Sequence, residues 1–508
     1  MITHKVRVHA SAERLPADHQ LAWKIAEVAT ATRALDDAVV EMTRCRIVDN
    51  AAVAIAAINR APVAAARAMA LAHPRRAGAT LYGLPASVRV DAEWAAWANA
   101  TAVRELDYHD TFLAADYAHP GDSIAPLVAV AQQTGRSGPD LMRAVAVAYE
   151  IHVALVKAIS LHEFKKDHVA HLAPATVAGI GALLALPVAT VFHAINQAVH
   201  LAFSTRQSRK GEISSWKAFV PGFSGKLGVE AVDRAMRGEA APSPIYEGED
   251  SVIAFMLGGR ERHYEVTLPA PGERPRAILE TFTKAHSAEY QAQALIDLAI
   301  ELAAQVPDLA AVEEIVVRTS HHTHAVIGTG ANDPQKFDPA ASRETLDHSI
   351  MYILAVALED RAWHHESSYT RERASRPSTV ALWRKIRTVE DAEWNARYRA
   401  ADPRERAFGG CIEIRFADGR VIAAEKAVAD AHPSGRAPWA WPDYVRKFAG
   451  LAGDALGQGE AERFLTLVRG LPDVPPDALL GLTPVLPAGA VVPAAPTGQG
   501  IFDYGLAP

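Results

Sequence analysis

Residues 104–126 read RELDYHDTFLAADYAHPGDSIAP and place Asp107, His109, Asp110, Asp116, His119 and Asp122 within sixteen positions, beside Thr111, Tyr108 and Tyr117. Carboxylates and imidazoles at that density can take a proton from one atom and give one to another. The run His119-Pro120-Gly121-Asp122-Ser123 has the composition of a turn. Proline sets φ, glycine tolerates unusual φ, and Asp122 and Ser123 can cap a following helix. A plainer reading makes the stretch a polar connection between helices whose acids and serine only cap.

Two further clusters carry complementary chemistry. In HEFKKDHVAH (162–171), His168 stands where a polar segment enters an apolar one, which suits an imidazole with a shifted pKa. In TRQSRKGEISSWK (205–217), Arg206, Arg209, Lys210 and Lys217 alternate with hydroxyl donors, a set suited to holding a polycarboxylate. His321, His322 and His324 lie close together, but their spacing matches no zinc pattern and no metal is expected there. No dinucleotide, P-loop, zinc-protease or serine-hydrolase motif occurs.

Composition narrows the classes. The chain has 508 residues, a net charge of −7, 49% hydrophobic and 22% charged residues, and no basic run, so two large domains and no nucleic-acid partner are expected. Cys45 and Cys411 are the only cysteines, too few for a disulfide framework or a self-contained iron–sulfur cluster. The N-terminus lacks a signal-peptide core, so a cytoplasmic location is expected. Residues 168–205 carry no Asp, Glu, Lys or Arg, yet Pro174, Pro187 and several His, Asn and Gln interrupt them. Two buried helices fit that segment better than a membrane span.

The elements that must position these clusters follow from periodicity. Helical patterns run through 18–45, 47–72, 92–104, 138–158, 172–200 and 222–237. Residues 239–275 are rich in Pro and Gly and read as a linker. Beyond them come a helix over 286–305, a strand over 313–320, and one helix over 343–359. A hairpin follows, 411–416 with 420–428 about Asp418-Gly419. The fold class expected is mainly α with an α+β lid: a large helical domain (1–270 and 433–480) interrupted by a smaller α+β domain (271–432). The Pro/Ala/Gly-rich tail at 481–508 is expected to be poorly ordered.

These clusters in this order resemble the MmgE/PrpD family over about residues 18–470. The landmarks are LDYHDTFLAADYAHPGDSIAPLVAVA (106–131), KKDHVAHLAPATVAGIGALLAL (165–186), STRQSRKGEISSWKAFVPGFSGKLGVEAV (204–232), FTKAHSAEYQAQALIDLA (282–299) and RETLDHSIMYILAVAL (343–358). The resemblance implies a helical domain with an α+β lid, a site between them, no cofactor, and a homodimer. It implies action on a small polycarboxylate: removal of water from 2-methylcitrate in propionate catabolism, or else decarboxylation of cis-aconitate or epimerisation of iminodisuccinate. Its site positions fall on Asp107, Thr111, His119, His168, Lys217 and Tyr352. Arg206 and Arg209 are expected to bind carboxylates, and His286 to line the lid. The lid opening departs from the family pattern, because Glu289 and Gln291 stand near positions where histidines are usual. With no metal or iron–sulfur centre, side chains would supply acid and base: Asp107 or His168 as base and His119 as acid, or the reverse.

Overall fold

The computed structural model describes residues 1–31, 33–400, 402–493 and 500–503. It is mainly helical with a smaller α+β part. One hydrophobic core draws on residues 6–278 and again on residues 444–486, while a second draws on residues 288–416. A small third cluster, including Phe112, Val153, Phe282, Tyr290 and Phe408, lies where the two meet.

Local chemistry explains the helices that frame the site. Ser137 and Asp140 cap each other at the start of Gly138–Ala158, with Pro139 in the first turn, so orphan N–H groups are satisfied at entry. Val169–Leu184 is apolar on nearly every face because it is buried on nearly every face. Gly179 lets it approach its neighbour: a Cβ there would come within 2.9 Å of Leu127 and 3.0 Å of the Ala144 carbonyl. This helix and Val188–Ala202 account for the uncharged stretch. No single helix among the described residues is long and apolar enough to cross a membrane.

The α+β part holds a four-stranded sheet ordered 421–426, 410–416, 312–319, 386–390. The 312–319 and 386–390 pair is parallel and the other pairs are antiparallel. The alternating burial of Gly410–Phe416, with every second residue buried, is what a sheet covered on one face demands. Helices Tyr290–Ala303 and Ile350–Asp360 cover it.

Three expectations need correction. The 239–275 linker is built into the helical part: His263–Leu268 pairs antiparallel with Ile2–Arg7, and Ile245, Tyr246, Val252 and Ile253 are core residues. The single helix over 343–359 is two, Arg343–Leu346 and Ile350–Asp360, because Ser342 and Ser349 each cap a new start. The tail is ordered as far as it packs, since Gly83 donates its N–H to the Pro484 carbonyl at 2.9 Å and accepts from Leu486 at 3.1 Å. Arg67 also donates to Val492 at 2.6 Å. Residues 494–499 and 504–508 lie outside the described residues.

Candidate active site

The Ala92–Glu105 helix ends in a tight turn that gives Asp107 a φ of 49°, the left-handed conformation that few residues besides Gly, Asn and Asp enter readily. That turn points the carboxylate inward among cations. Asp107 Oδ1 accepts from Arg104 and, at 2.5 Å, from Lys284, and Oδ2 lies 2.9 Å from Lys217 Nζ. Lys217 also stands 2.9 Å from Asp347 Oδ2, and Arg343 reaches the same oxygen at 3.4 Å. His348 pairs with Asp347 Oδ1. All of this is buried or nearly so. Burial works to raise both carboxyls, but Arg104, Lys217 and Lys284 hold Asp107 well below the usual range, and Lys217 and His348 do the same for Asp347.

The turn after this cluster is fixed by its glycine. Gly121 N–H donates to Asp110 Oδ1 at 2.9 Å, and a Cβ on Gly121 would stand 2.6 Å from that oxygen. Asp122 and Ser123 do not cap the next helix, contrary to the plainer reading. Asp122 lies 2.8 Å from His109 Nε2, and Ser123 donates to the Pro120 carbonyl.

His119 is set by this turn. Its Nδ1 faces the Asp110 carbonyl at 2.9 Å, and a carbonyl only accepts, so Nδ1 carries the proton and Nε2 presents a lone pair. Nε2 is 4.0 Å from Asp107 Oδ1. Burial, reinforced by Arg104 and Lys284, holds His119 well below the usual histidine range. The rings of His109 and His168 each lie 5.3 Å from it, on either side. Among the described residues neither nitrogen of buried His168 has a hydrogen-bond partner, and burial, then Arg209, keeps it neutral. Arg209 lies 3.4 Å from Asp167, and its Nη1 has no partner. Arg206 reaches the Tyr117 hydroxyl at 3.3 Å, and the Tyr117 ring lies 5.3 Å from that of His168.

Asp107, His119, His168, Lys217, Arg206 and Arg209 are thus brought into one neighbourhood. Thr111 is adjacent, but its hydroxyl donates to the Ala118 carbonyl and its backbone pairs with Phe282, so it stitches the loop in place. Tyr352 and His286 are held elsewhere. The Tyr352 hydroxyl donates to the Ser368 carbonyl inside the lid core, with Trp383 against its ring. His286 pairs with Asp297 at 2.8 Å.

Arg104, Lys284, Asp347 and His348 belong to the cluster and were not singled out from sequence. Two capping serines seven residues apart mark the helix break that frees Asp347 and His348, and that signal was present in SRETLDHS. Asp107, Asp347 and His348 each offer an atom within 4.8 Å of the others, a spacing a cation could use. Lys217 Nζ already stands among them, 3.4 Å from His348 Nδ1 and 2.9 Å from each carboxylate, so the ammonium takes that place. The histidines at 321, 322 and 324 go separate ways, to Glu390, Tyr398 and Thr388.

A cleft of about 540 Å³ lies between residues 114–116 and 160–165 of the helical part and residues 320–326 and 395–399 of the lid. His162 and His322 face each other across it, ring centres 5.2 Å apart, and both touch Tyr117.

The buried histidines should make the fold labile to acid. Burial holds His119, His152, His168 and His348 below the usual value of 6.5, with His152 and His348 near 3. Below about pH 6.5 each of these histidines therefore takes a proton in the unfolded chain that it lacks in the folded one, opposed in part by Asp116, Glu247 and Glu289, whose carboxyls burial pushes up to about 7. Stability is full above that value and falls as pH drops, by up to about 1.4 kcal/mol per pH unit for each such histidine. The urea midpoint should be level between about pH 7 and 8 and drop steeply from about pH 6.5 to 5; a level profile across the whole range would contradict the neutral assignment.

Comparison with known proteins matches two family models to this chain: the MmgE/PrpD N-terminal domain over residues 19–265 and the MmgE/PrpD C-terminal domain over residues 286–473. The chain is similar to the mitochondrial 2-methylcitrate dehydratase of Yarrowia lipolytica, 26% identical over 398 residues, covering 74% of this chain and 73% of that one. It is similar to the 2-methylcitrate dehydratases of Cupriavidus necator (26% identical, 66% of this chain and 69% of that one) and Escherichia coli strain K12 (24%, 65% and 69%).

Proposed function

The chain belongs to the MmgE/PrpD family, and from that premise we propose that it is a hydro-lyase that removes water from 2-methylcitrate to give 2-methyl-cis-aconitate, in the methylcitrate cycle of propionate catabolism. The observation that carries this reading is a neutral His119 whose Nε2 lies 4.0 Å from the Asp107 carboxylate on which the buried cations Arg104, Lys217 and Lys284 converge. A base beside fixed positive charge is what removal of a proton next to a carboxylate needs, because charge develops on that carboxylate as the C–H bond breaks.

In this mechanism Arg206 and Arg209 take substrate carboxylates, and the unmet Nη1 of Arg209 and the single N–H of neutral His168 are the donors a bound polyanion would satisfy. Lys217 and Lys284, held in place by Asp107 and Asp347, steady the enediolate-like charge. Asp107 is the anchor of these cations rather than the base, because three of them compete for its lone pairs. Of the two pairings expected from sequence this takes the reverse one for His119, as base, and leaves Asp107 out of the proton transfer. Substrate enters when the lid swings from the His162–His322 cleft, since the cluster itself is enclosed. The chemistry runs on side chains alone, in a homodimer.

Purified protein mixed with 2-methylcitrate should give rising ultraviolet absorbance from the conjugated product, at the same rate with and without EDTA. No rise would sink the dehydratase reading, and cis-aconitate and iminodisuccinate would be tried next. A rise abolished by EDTA and restored by a divalent cation would overturn metal independence. Light scattering giving the mass of one chain would overturn the homodimer.

A further inference from the structure

Dehydration needs a second proton transfer that the residues named above do not supply. The departing hydroxide must be protonated, yet His119 and His168 are neutral bases, Asp107 and Asp347 are ionised, and Lys284 is committed to the carbonyl and carboxylate of Asp107. A proton donor matched to neutral pH is missing from this list.

The segment 284–291 crosses from the cluster to the lid and carries one more carboxyl. Glu289 caps the Tyr290–Ala303 helix, its Oε2 accepting from Gln291 N–H at 2.7 Å, and its own N–H donates to the Asp347 carbonyl at 3.2 Å. It is half-buried, and Lys284 and Asp107 stand close enough to act on its charge. We propose that Glu289 is the general acid that protonates the departing hydroxyl, an assignment that rests on the dehydratase reading.

The surroundings of Glu289 suit a carboxyl that gains and loses a proton. The side-chain amide of Gln291 faces both carboxyl oxygens on one side and His322 Nε2, 3.1 Å away, on the other. With Glu289 ionised, the amide NH₂ donates to it and the amide oxygen accepts from His322 Nε2–H. With Glu289 protonated, its O–H donates to the amide oxygen and the NH₂ donates to the His322 Nε2 lone pair. A half-turn of one amide, together with transfer of the His322 proton from Nε2 to Nδ1, therefore satisfies the Glu289 carboxyl in either state. Burial pushes Glu289 up to about 7, opposed by Lys284 and by Gln291 N–H and assisted by Asp107. Tyr290 and Tyr398 face it as well, both held neutral, chiefly by burial. His322, near 3, stays neutral in both arrangements.

The proton balance closes. His119 Nε2 takes the proton from the carbon beside a carboxylate, and the C–H electron pair becomes the new carbon–carbon double bond. The C–O bond breaks with its pair on oxygen, and the Glu289 proton joins that oxygen to give water. Protonated His119 and ionised Glu289 remain, and exchange with solvent restores both.

The test is Glu289→Gln, which keeps an oxygen for the cap but has no transferable proton. Turnover of 2-methylcitrate should fall about 10²–10⁴-fold, with KM and melting temperature nearly unchanged. The parent should lose activity as pH rises through about 7, where the acid deprotonates, and the variant should lack that limb. Infrared difference spectra between roughly pH 6 and 8 should show in the parent one titrating protonated-carboxyl band that the variant lacks, beside those of Asp116 and Glu247, which burial also pushes up to about 7 and which both proteins keep. Unchanged turnover, an alkaline limb surviving in the variant, or no such band would each overturn the assignment. A parent that shows the band but does not dehydrate 2-methylcitrate would instead mark failure of the dehydratase reading, and the role as acid would fall with it.

Discussion

Replacing His119 by asparagine should leave the fold intact and lower turnover by about 10²–10⁴-fold, the usual contribution of a positioned base. The choice of asparagine matters. Its amide N–H can take over the bond that Nδ1 makes to the Asp110 carbonyl at 2.9 Å, so the buried carbonyl keeps its partner while the Nε2 lone pair is lost. Alanine would remove both, and an orphaned buried carbonyl costs about 1–3 kcal/mol by itself, which would blur a catalytic loss with a structural one. Initial rates of product absorbance, with circular dichroism as the check on folding, decide the matter. Retention of turnover within about threefold, far short of the loss expected of a base, would pass the role to His168, whose ring centre is 5.3 Å away and whose nitrogens are both unmet.

The helical half and the lid hairpin were readable because they are written in local periodicity. The alternation of CIEIRF and the Asp418-Gly419 turn give the 410–416 and 421–426 strands directly. The site was readable only in part, for a physical reason. Asp107, His119, His168 and Lys217 lie in stretches dense with polar residues, so composition flags them. Lys284 lies in a mixed segment, KAHSAEY, and acquires its meaning from Asp107, 177 residues away in the chain. Asp347 meets Lys217 across 130 residues. Such pairings leave no trace in local pattern. The same limit explains Tyr352: its place in an apolar helix was visible, but that its hydroxyl turns into the lid core was not. The polar linker at 239–275 misled because Gly and Pro mark irregular backbone, which can be packed as firmly as a helix.

The second large effect expected is on stability, from Asp107→Asn. The side chain is nearly isosteric, so packing is kept, and what changes is charge. Arg104, Lys217 and Lys284 converge on one buried carboxylate. Without it, Asp347 is the remaining anion in contact with Lys217, and Arg104 and Lys284 lose their carboxylate partner. Removing one member of a buried ion cluster leaves uncompensated charge and typically costs about 3–5 kcal/mol. Burial already lowers the pKa of Lys284, with Asp107 opposing that shift, so in the variant Lys284 should release its proton at lower pH. The variant should therefore recover more stability as pH is raised than the parent does, in which Lys284 and Lys336, both lowered by burial, already contribute some gain. Urea unfolding at about pH 7 and about pH 9 measures both. Adding Lys284→Met to Asp107→Asn should restore part of the loss, because the second change removes a charge that the first left unpaired, and the coupling between the two is read from the full mutant cycle. A loss below about 1 kcal/mol for Asp107→Asn, the range of exposed pairs, would mean that water or flexible neighbours already screen these cations. The fixed positive field beside His119 would then be too weak to serve the proton abstraction assigned to it.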